Sequence, residues 1–460
     1  MKVKSIPCSW LREEGHRLSA TPHMSEARAA KQTLETLSIE KHYLSALTRG
    51  GTKGILNGPR FARRYVESPE YGVPLLSGST ILQTDISDAP LISKKQAKSM
   101  PEIILEEGTT LITSYGTVGR LAYARKDMEG SVGSDNVMKV YPNRNLISPG
   151  YLYAFLSSRF GIPIVTVGTS GGTVPFLSPE RVYRIPIPRF SKRIEQRVHD
   201  LVQEAADLRV AASTTISNEA GKFDQVIKDI EHERQSPYIN YVSSSTIQER
   251  FDAQYHDPIV AKIRLKISGQ KHASIGDFCS KIFLPGIFKR IHIDDPRFGA
   301  PYFTGASIFC LEPQAKGILS KNTSLFDQVL LEKGTILVQA FGQDGGLTGR
   351  SAWVGNHLDG CTTTHMLVRL NAKDPELAGY LFAFLQSEAG YRQIACLTYG
   401  GSIPHLDENG IATVVIPLMP EDEMRQISKT VIQALDDRDE ALSLELEARK
   451  LVEKAIEEAA

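Results

Sequence analysis

The sequence predicts a mixed α/β fold of the α+β kind, with two homologous domains in tandem and a long helix after each. Three observations predict it. A polar stretch of 44 residues, Lys192 to Gln235, contains no proline and only one glycine, Gly221. A second polar stretch closes the chain. The two blocks that precede these stretches repeat one another in order, with the same short motifs at nearly constant offset.

Taken from the N-terminus, Ser25 to Leu47 reads as one or two helices ahead of the turn-rich Gly50-Gly51-Thr52. Ile103-Ile104-Leu105, Thr110-Leu111-Ile112 and Val137-Met138-Lys139-Val140 have strand chemistry, with glycine-containing breaks between them. Tyr151 to Ser158 reads as a helix. From Lys192 the apolar residues Ile194, Val198, Leu201, Ala205, Leu208 and Ala212 step by four, three, four, three and four, and Phe223, Val226, Ile227 and Ile230 resume the pattern. That is a narrow coiled-coil seam. The second long helix opens at Pro420-Glu421-Asp422-Glu423, a proline and acids suited to a first turn. Its seam is Met424, Ile427, Val431, Leu435, Leu442, Leu446 and Val452, interrupted by Arg438 and Arg449. The expected layout is a first domain over 1–190, a central helix over 191–235, a second domain over 236–418 and a terminal helix over 419–460.

The repeat is explicit in the residues. Gly58-Pro-Arg-Phe-Ala-Arg-Arg is echoed by Pro285-Gly-Ile-Phe-Lys-Arg, with Phe61 on Phe288 at an offset of 227. Gly72-Val-Pro-Leu-Leu-Ser-Gly-Ser is echoed by Gly299-Ala-Pro-Tyr-Phe-Thr-Gly-Ala at the same offset. Leu105-Glu-Glu-Gly-Thr-Thr-Leu matches Leu331-Glu-Lys-Gly-Thr-Ile-Leu, with Gly108 on Gly334 at an offset of 226. Tyr151-Leu-Tyr-Ala-Phe-Leu matches Tyr380-Leu-Phe-Ala-Phe-Leu, Gly171-Gly-Thr-Val-Pro-Phe-Leu matches Gly400-Gly-Ser-Ile-Pro-His-Leu, and Ile187-Pro188 matches Ile416-Pro417, all at 229. The turns differ where the scaffold does not. Tyr115-Gly-Thr-Val-Gly-Arg faces Phe341-Gly-Gln-Asp-Gly-Gly-Leu-Thr-Gly-Arg, which is four residues longer. Divergent tips on a repeated frame are expected if each domain reads something different.

At 460 residues the chain can bury more than one core, and 41% hydrophobic residues argue against disorder. Lysine plus arginine total 53 and aspartate plus glutamate total 53. Nucleic-acid binding must therefore rest on local patches. Five cysteines without CxxC spacing argue against a zinc ribbon or a disulfide framework. Without an apolar leader at Met1 to Leu11 or a run of about 18 apolar residues, a cytoplasmic, soluble chain is expected.

No GxxxxGK[ST] or HExxH motif is present. Phe341-Gly-Gln-Asp-Gly-Gly has the glycines of a nucleotide loop, but no helix follows. Asp294-Asp-Pro-Arg-Phe has some likeness to the Asp-Pro-Pro-aromatic motif of amino-methyltransferases, with one proline missing. An Asp-Pro turn is the other reading. An enzyme in its own right, a nuclease or methyltransferase, or an assembly scaffold that reads no DNA, are the alternatives to a binding protein. His199 and His232, isolated on a polar helix, read as solvated. Trp353 reads as strand core. The seven basic and nine acidic residues of Lys192 to Gln235 favour a solvated or protein-facing helix surface.

The positive features recur in both halves. Arg60, Arg63 and Arg64 in the first domain, and Lys289, Arg290 and His292 in the second, could contact phosphates or guanine edges, or be solvated basic loops. Ser170 and Thr173 in the first glycine-rich turn, and Tyr399 and Ser402 in the second, could hold a phosphate or close structural turns. Ser114, Tyr115, Thr117 and Arg120 on one divergent turn, with Gln343, Asp344 and Arg350 on the other, are candidates for base readout.

The plan of domain, helix, related domain, helix, carrying Glu-Glu-Gly-Thr-Thr-Leu, Gly-Thr-Val-Gly-Arg, Tyr-Leu-Tyr-Ala-Phe-Leu and Pro-Ile-Pro-Arg-Phe, resembles the specificity subunit of type I restriction-modification systems from about Arg17 to the C-terminus. The resemblance implies two target recognition domains, each reading half of a split, asymmetric site in double-stranded DNA. It implies that the long helices pair antiparallel as a spacer and dock two DNA adenine methyltransferase subunits carrying S-adenosylmethionine. A restriction/translocase subunit using ATP with Mg can join them. It further implies no cofactor and no active site in this chain.

Overall fold

The structure, a computed structural model, describes residues 5–8, 26–167, 169, 175–226, 228, 241–244, 247, 250–343 and 345–460. By internal contact the chain forms two units, one of Met1–Val210 with Glu440–Ala460 and one of Ala211–Asp439. Each long helix thus gives one half to each unit.

Along the first unit run α1 (Ala27–Thr36), β1 (Lys41–Tyr43), β2 (Ile55–Leu56), β3 (Tyr65–Val66), β4 (Gly72–Leu76), β5 (Leu91–Ser93), α2 (Lys94–Lys98), β6 (Thr110–Thr113), β7 (Leu121–Tyr123), β8 (Val132–Gly133), β9 (Val137–Val140), α3 (Pro149–Leu156), α4 (Gly161–Val167), β10 (Pro186–Pro188) and the start of α5 (Lys192–Phe223). Among the described residues the strands make an antiparallel sheet in the order β2-β9-β6-β7 and a second sheet in the order β3-β5-β4-β8. The β4–β8 pair is parallel, Leu75 opposite Val132. β1 pairs with β10, His42 opposite Ile187.

The second unit takes up the end of α5 and continues through α6 (Pro258–Ser268), β11 (His272–Ser274), α7 (Ile275–Phe278), β12 (Cys279–Phe283), β13 (His292–Ile293), β14 (Gly299–Phe303), α8 (Gly305–Ile308), β15 (Ile318–Ser320), α9 (Phe326–Val329), β16 (Ile336–Gln339), β17 (Ser351–Trp353), β18 (Thr362–Thr363), β19 (Leu367–Ala372), α10 (Ala378–Gln386), α11 (Glu388–Ala395), α12 (Glu408–Ala412), β20 (Val415–Pro417) and α13 (Glu421–Ala459). Its sheet orders are β12-β19-β16-β17 and β13-β15-β14-β18, with β11 on β20. Every strand of the first unit therefore has its counterpart ten strands later. Even the one parallel pairing recurs, Tyr302 opposite Thr362.

The repeat extends to single atoms. Tyr151 is fully buried and donates its hydroxyl to the Pro188 carbonyl at 2.6 Å, and the equally buried Tyr380 donates to Pro417 at 2.7 Å. A buried phenol needs such an acceptor, because leaving it unmade costs about 1–3 kcal/mol. Each bond fastens a short helix to the strand that leads into a long one. Trp353 packs edge-on against Phe382 at 5.9 Å, as Tyr123 meets Tyr153 at 5.6 Å, and is strand core as expected.

The long helices bury the expected seam, with differences. In the first unit Val198, Leu201 and Ala205 of α5 share a core with Ala441, Leu444, Ala448, Val452 and Ile456 of α13. In the second, Ala212, Ile216 and Phe223 share one with Met424, Ile427, Val431 and Leu435. The start of α5 thus meets the end of α13, and the reverse, so the helices are antiparallel. Leu446, placed in the seam by its size, is only half-buried, because the row shifts to the alanines at 441 and 448.

The central helix ends at Phe223 and not at Gln235. Phe223 is drawn into the core between Tyr380 (5.0 Å) and Phe384 (5.5 Å). The next residue, Asp224, turns its carboxylate to the backbone amides of Glu388 (3.3 Å) and Ala389 (3.0 Å) at the start of α11. Residues 229–240, including His232, lie outside the described residues. Within the described part of Ser25 to Leu47, only Ala27–Thr36 is an α-helix; Lys41–Tyr43 is a strand, because β10 supplies it with a partner. Ile103 closes a 3₁₀ turn started by Pro101, and only Ile104 bridges to Val132.

Candidate nucleic-acid interface

In the first unit, β6 and β7 end in a hairpin tip beside the turn between β8 and β9. The Ser114 amide donates to the Asn136 carbonyl at 2.9 Å, and the Leu177 amide to the Ser114 carbonyl at 2.9 Å. These two bonds gather three chain segments around one edge. Beneath them Lys139 is fully buried, with Nζ donating to the Asn57 carbonyl (2.7 Å) and the Ser134 carbonyl (2.8 Å). It clamps a fourth segment, the arginine loop that starts at Asn57, onto the same turn. Burial lowers the Lys139 ammonium to about 7.

Above this clamp the side chains converge. Arg60 donates to the Tyr115 hydroxyl at 3.2 Å and lies 5.6 Å over its ring. Tyr115 in turn packs on Phe176 at 4.5 Å. Arg63 donates to Asp135 Oδ1 at 3.2 Å, and Arg60 Nε stands 3.7 Å from Oδ2. The arginines remain 76% and 40% exposed, the carboxylate 23%. Two cations, an aromatic platform and an acceptor thus share one face, suited to phosphate and base-edge contacts.

The second unit ties its loops identically: the Ala340 amide donates to Met366 (2.9 Å) and the Leu406 amide to Ala340 (2.8 Å). Its side chains are different. A row of rings runs from Phe288 to His365 (6.2 Å), Phe341 (6.1 Å), His405 (5.6 Å, nearly parallel) and Tyr399 (4.1 Å). Arg250 stands 5.6 Å over Tyr399. At the other end Arg290 lies over Phe288 and donates to the Tyr302 hydroxyl at 2.6 Å, and His292 meets the same tyrosine ring at 5.6 Å. The buried cation under this face is Arg369, at the position of Lys139, donating to the Leu367 (2.5 Å) and Thr364 (3.2 Å) carbonyls; burial lowers it to about 9. Burial, with Arg290 and Arg369 nearby, lowers the His365 imidazole below the ordinary histidine range.

The expected site residues therefore divide. Arg60, Arg63 and Tyr115 come together, as do Arg290, His292 and, through the ring row, Tyr399. Arg64, Thr117, Lys289, Gln343 and Ser402 are exposed on the loops. Ser114 is fully buried, so its backbone ties the face together and its side chain reads nothing. Arg120 is half-buried at the hairpin base. Arg350 lays its guanidinium on the Tyr391 ring of α11, 3.7 Å from its centre, which commits its flat face to packing. Ser170, Thr173 and Asp344 lie outside the described residues.

Asp135, Phe176, Arg250, His365 and His405 were missed. Part of their signal was the repeat: Phe176 matches His405 at 229, and the strand registers that set Lys139 on Arg369 also set Asp135 on His365, at 230. The Asp294 to Phe298 segment is an Asp-Pro turn, with Asp295 accepting from the Arg297 amide (3.0 Å) and pairing with its guanidinium (2.6 Å). His199 is not solvated; its Nδ1 accepts from the Gly150 amide at 3.2 Å. No group of His, Cys, Asp and Glu among the described residues could hold a metal ion, and no described helix is long and apolar enough to cross a membrane.

No protein-family model and no curated protein matches the sequence. Among solved structures the chain is similar to the S subunit of a Type-I restriction-modification system from M. genitalium, at 12% identity, covering 91% of this chain and 96% of that one, with a TM-score of 0.36. It is also similar to the HsdS subunit from Thermoanaerobacter tengcongensis, at 15% identity, covering 91% of this chain and 96% of that one, with a TM-score of 0.28.

Proposed function

We propose that this chain is a non-catalytic DNA-recognition subunit that reads a bipartite, asymmetric site, one half with each unit. On this reading it directs DNA adenine methyltransferase subunits and restriction/translocase subunits in the cytoplasm. S-adenosylmethionine, and ATP with Mg, belong to those partners. The observation that carries the reading is the pair of loop faces: backbone ties repeat bond for bond, while the side chains they present differ. A duplicated scaffold with divergent tips suits recognition of two different sequences.

The neutral net charge fits if the partners supply part of the phosphate attraction. The enzymes of such a complex must flip their target base, so this subunit need only position the duplex. The test is R63E and R290E, made separately in the complex reconstituted with DNA adenine methyltransferase subunits. Each should weaken DNA binding and make it less steeply dependent on salt, since a phosphate contact is lost, and methylome mapping should return a bipartite motif. Unchanged binding in both variants would leave a scaffold that reads no DNA. Methylation or cleavage by the purified chain alone would make it an enzyme.

A further inference from the structure

The two faces differ in chemistry in a way that points to different bases. In the first unit a carboxylate, Asp135, sits among arginines on the face offered to DNA. Phosphates repel a carboxylate; the arginines beside it offset its charge, and its exposed edge is free to accept a hydrogen bond from a base as well. In the major groove cytosine offers such a donor, its N4 amine, and the guanine paired with it offers the O6 and N7 acceptors that arginine matches. Arg63 and Asp135 stand 3.2 Å apart as donor and acceptor, an arrangement a G·C pair can engage side by side.

At the same place the second unit has His365, followed by an exposed Met366 (38%). Two further apolar side chains are exposed on the loops of the ring row, Ile287 (85%) beside Phe288 and Ile403 (64%) between Tyr399 and His405. In the major groove the apolar feature is the thymine methyl. Lys289 and Arg290 flank the patch, so a phosphate-lined groove is its fitting occupant.

We infer that the first unit reads a G·C base pair through Arg63 and Asp135, and that the second reads thymine methyl groups through Ile287, Met366 and Ile403. This rests on the proposed DNA-reading function.

The test is selection from a randomised duplex library by the reconstituted complex, with the parent chain, D135N, and I287A/M366A/I403A. D135N should relax the preference for cytosine at one base pair roughly tenfold or more, leaving the other half-site intact. A uniform loss of affinity without a change of preference would make Asp135 a residue that only orients the arginines, and would overturn the assignment. Replacing thymine by uracil in the other half-site should cost about fourfold per methyl contacted, the worth of one buried carbon. The triple variant should abolish that sensitivity. A motif indifferent to D135N and to uracil overturns this inference alone. Selection of no motif by the parent chain overturns the function on which it rests.

Discussion

Arg209 of α5 and Glu445 of α13 form a bidentate ion pair inside the first unit, with side chains only 6% and 4% exposed. The residue equivalent to Arg209 in the second unit, Arg438, instead donates to the Ser213 hydroxyl at 3.1 Å. Near the middle of each long helix, the first unit thus carries a bidentate carboxylate contact where the second has an arginine-to-hydroxyl bond. Removing one partner of a buried pair leaves an uncompensated charge, which costs about 3–5 kcal/mol, whereas apolar replacement of both is often neutral or stabilising. E445A is therefore expected to lower the first unfolding transition in urea, and R209M/E445L to restore it. Equal losses in both variants would mean that the pair's net attraction outweighs its desolvation.

His199 makes stability depend on acidity. Burial lowers its pKa, and its Nδ1 accepts the Gly150 amide, so the folded state holds the neutral ring. The unfolded chain takes up this proton at the ordinary histidine pKa near ~6.5. Its contribution is thus present above that pH and is lost as pH falls through the ordinary value toward the lowered one. H199N keeps an acceptor at the same place and should flatten that part of the profile. His365 acts in the same direction within the second unit, so H365N is the companion variant. An acid limb unchanged in H199N would assign the loss elsewhere.

The same helix crossing predicts a steric result. A Cβ on Gly150 would lie 2.9 Å from the His199 carbonyl oxygen, and one on Gly379 would lie 2.4 Å from that of Ser428, the equivalent residue. G150A and G379A should each destabilise by about 1–3 kcal/mol through overpacking, measurable as a lower unfolding midpoint. G221A, where a Cβ meets open space, should be tolerated or slightly stabilising.

Much of this architecture was legible because duplication writes every element twice. Val137 to Val140 was readable as a strand, and its counterpart Leu367–Ala372 repeats it with Arg369 in the place of Lys139. The seam of α5 was readable from four-and-three spacing until Phe223. There a tertiary contact overrode the pattern, since no spacing rule shows that a phenylalanine will be claimed by Tyr380. The candidate reading faces were half legible. Loop arginines announce themselves by charge, but Asp135 stands out only through its place beside Arg60 and Arg63, and a lone aspartate in a turn carries no such signal. Ser114 misled for the converse reason, because its sequence position at a hairpin tip says nothing about which way the hydroxyl points.

Lys139 couples the first face to pH on the alkaline side. Its folded pKa of about 7 lies below the ordinary 10.5, so between these values the unfolded chain holds more protons than the folded one. Stability should therefore rise as pH increases across that window. K139M removes the titration and should give a flat profile there. It also frees the Asn57 carbonyl, so the arginine loop should hold Arg60 and Arg63 less firmly and DNA binding should weaken at constant salt. A rise that persists in K139M would place the titrating group elsewhere.

The proposed function makes the paired long helices a spacer between half-sites. α5 runs unbroken for 32 residues and α13 for 39, and each contributes to the core of both units. Insertion of four residues in both helices, after Val210 and after Asp439, adds one turn, about 6 Å of rise. Such an insertion shifts a coiled-coil seam only locally. At about 3.4 Å per base pair, the preferred spacer should lengthen by roughly two base pairs. Both half-site sequences should be retained, because the loops that read them lie outside the insertion. Methylome mapping separates the outcomes: a longer spacer with unchanged half-sites supports a ruler, whereas altered half-sites would show that the helices shape the reading faces themselves.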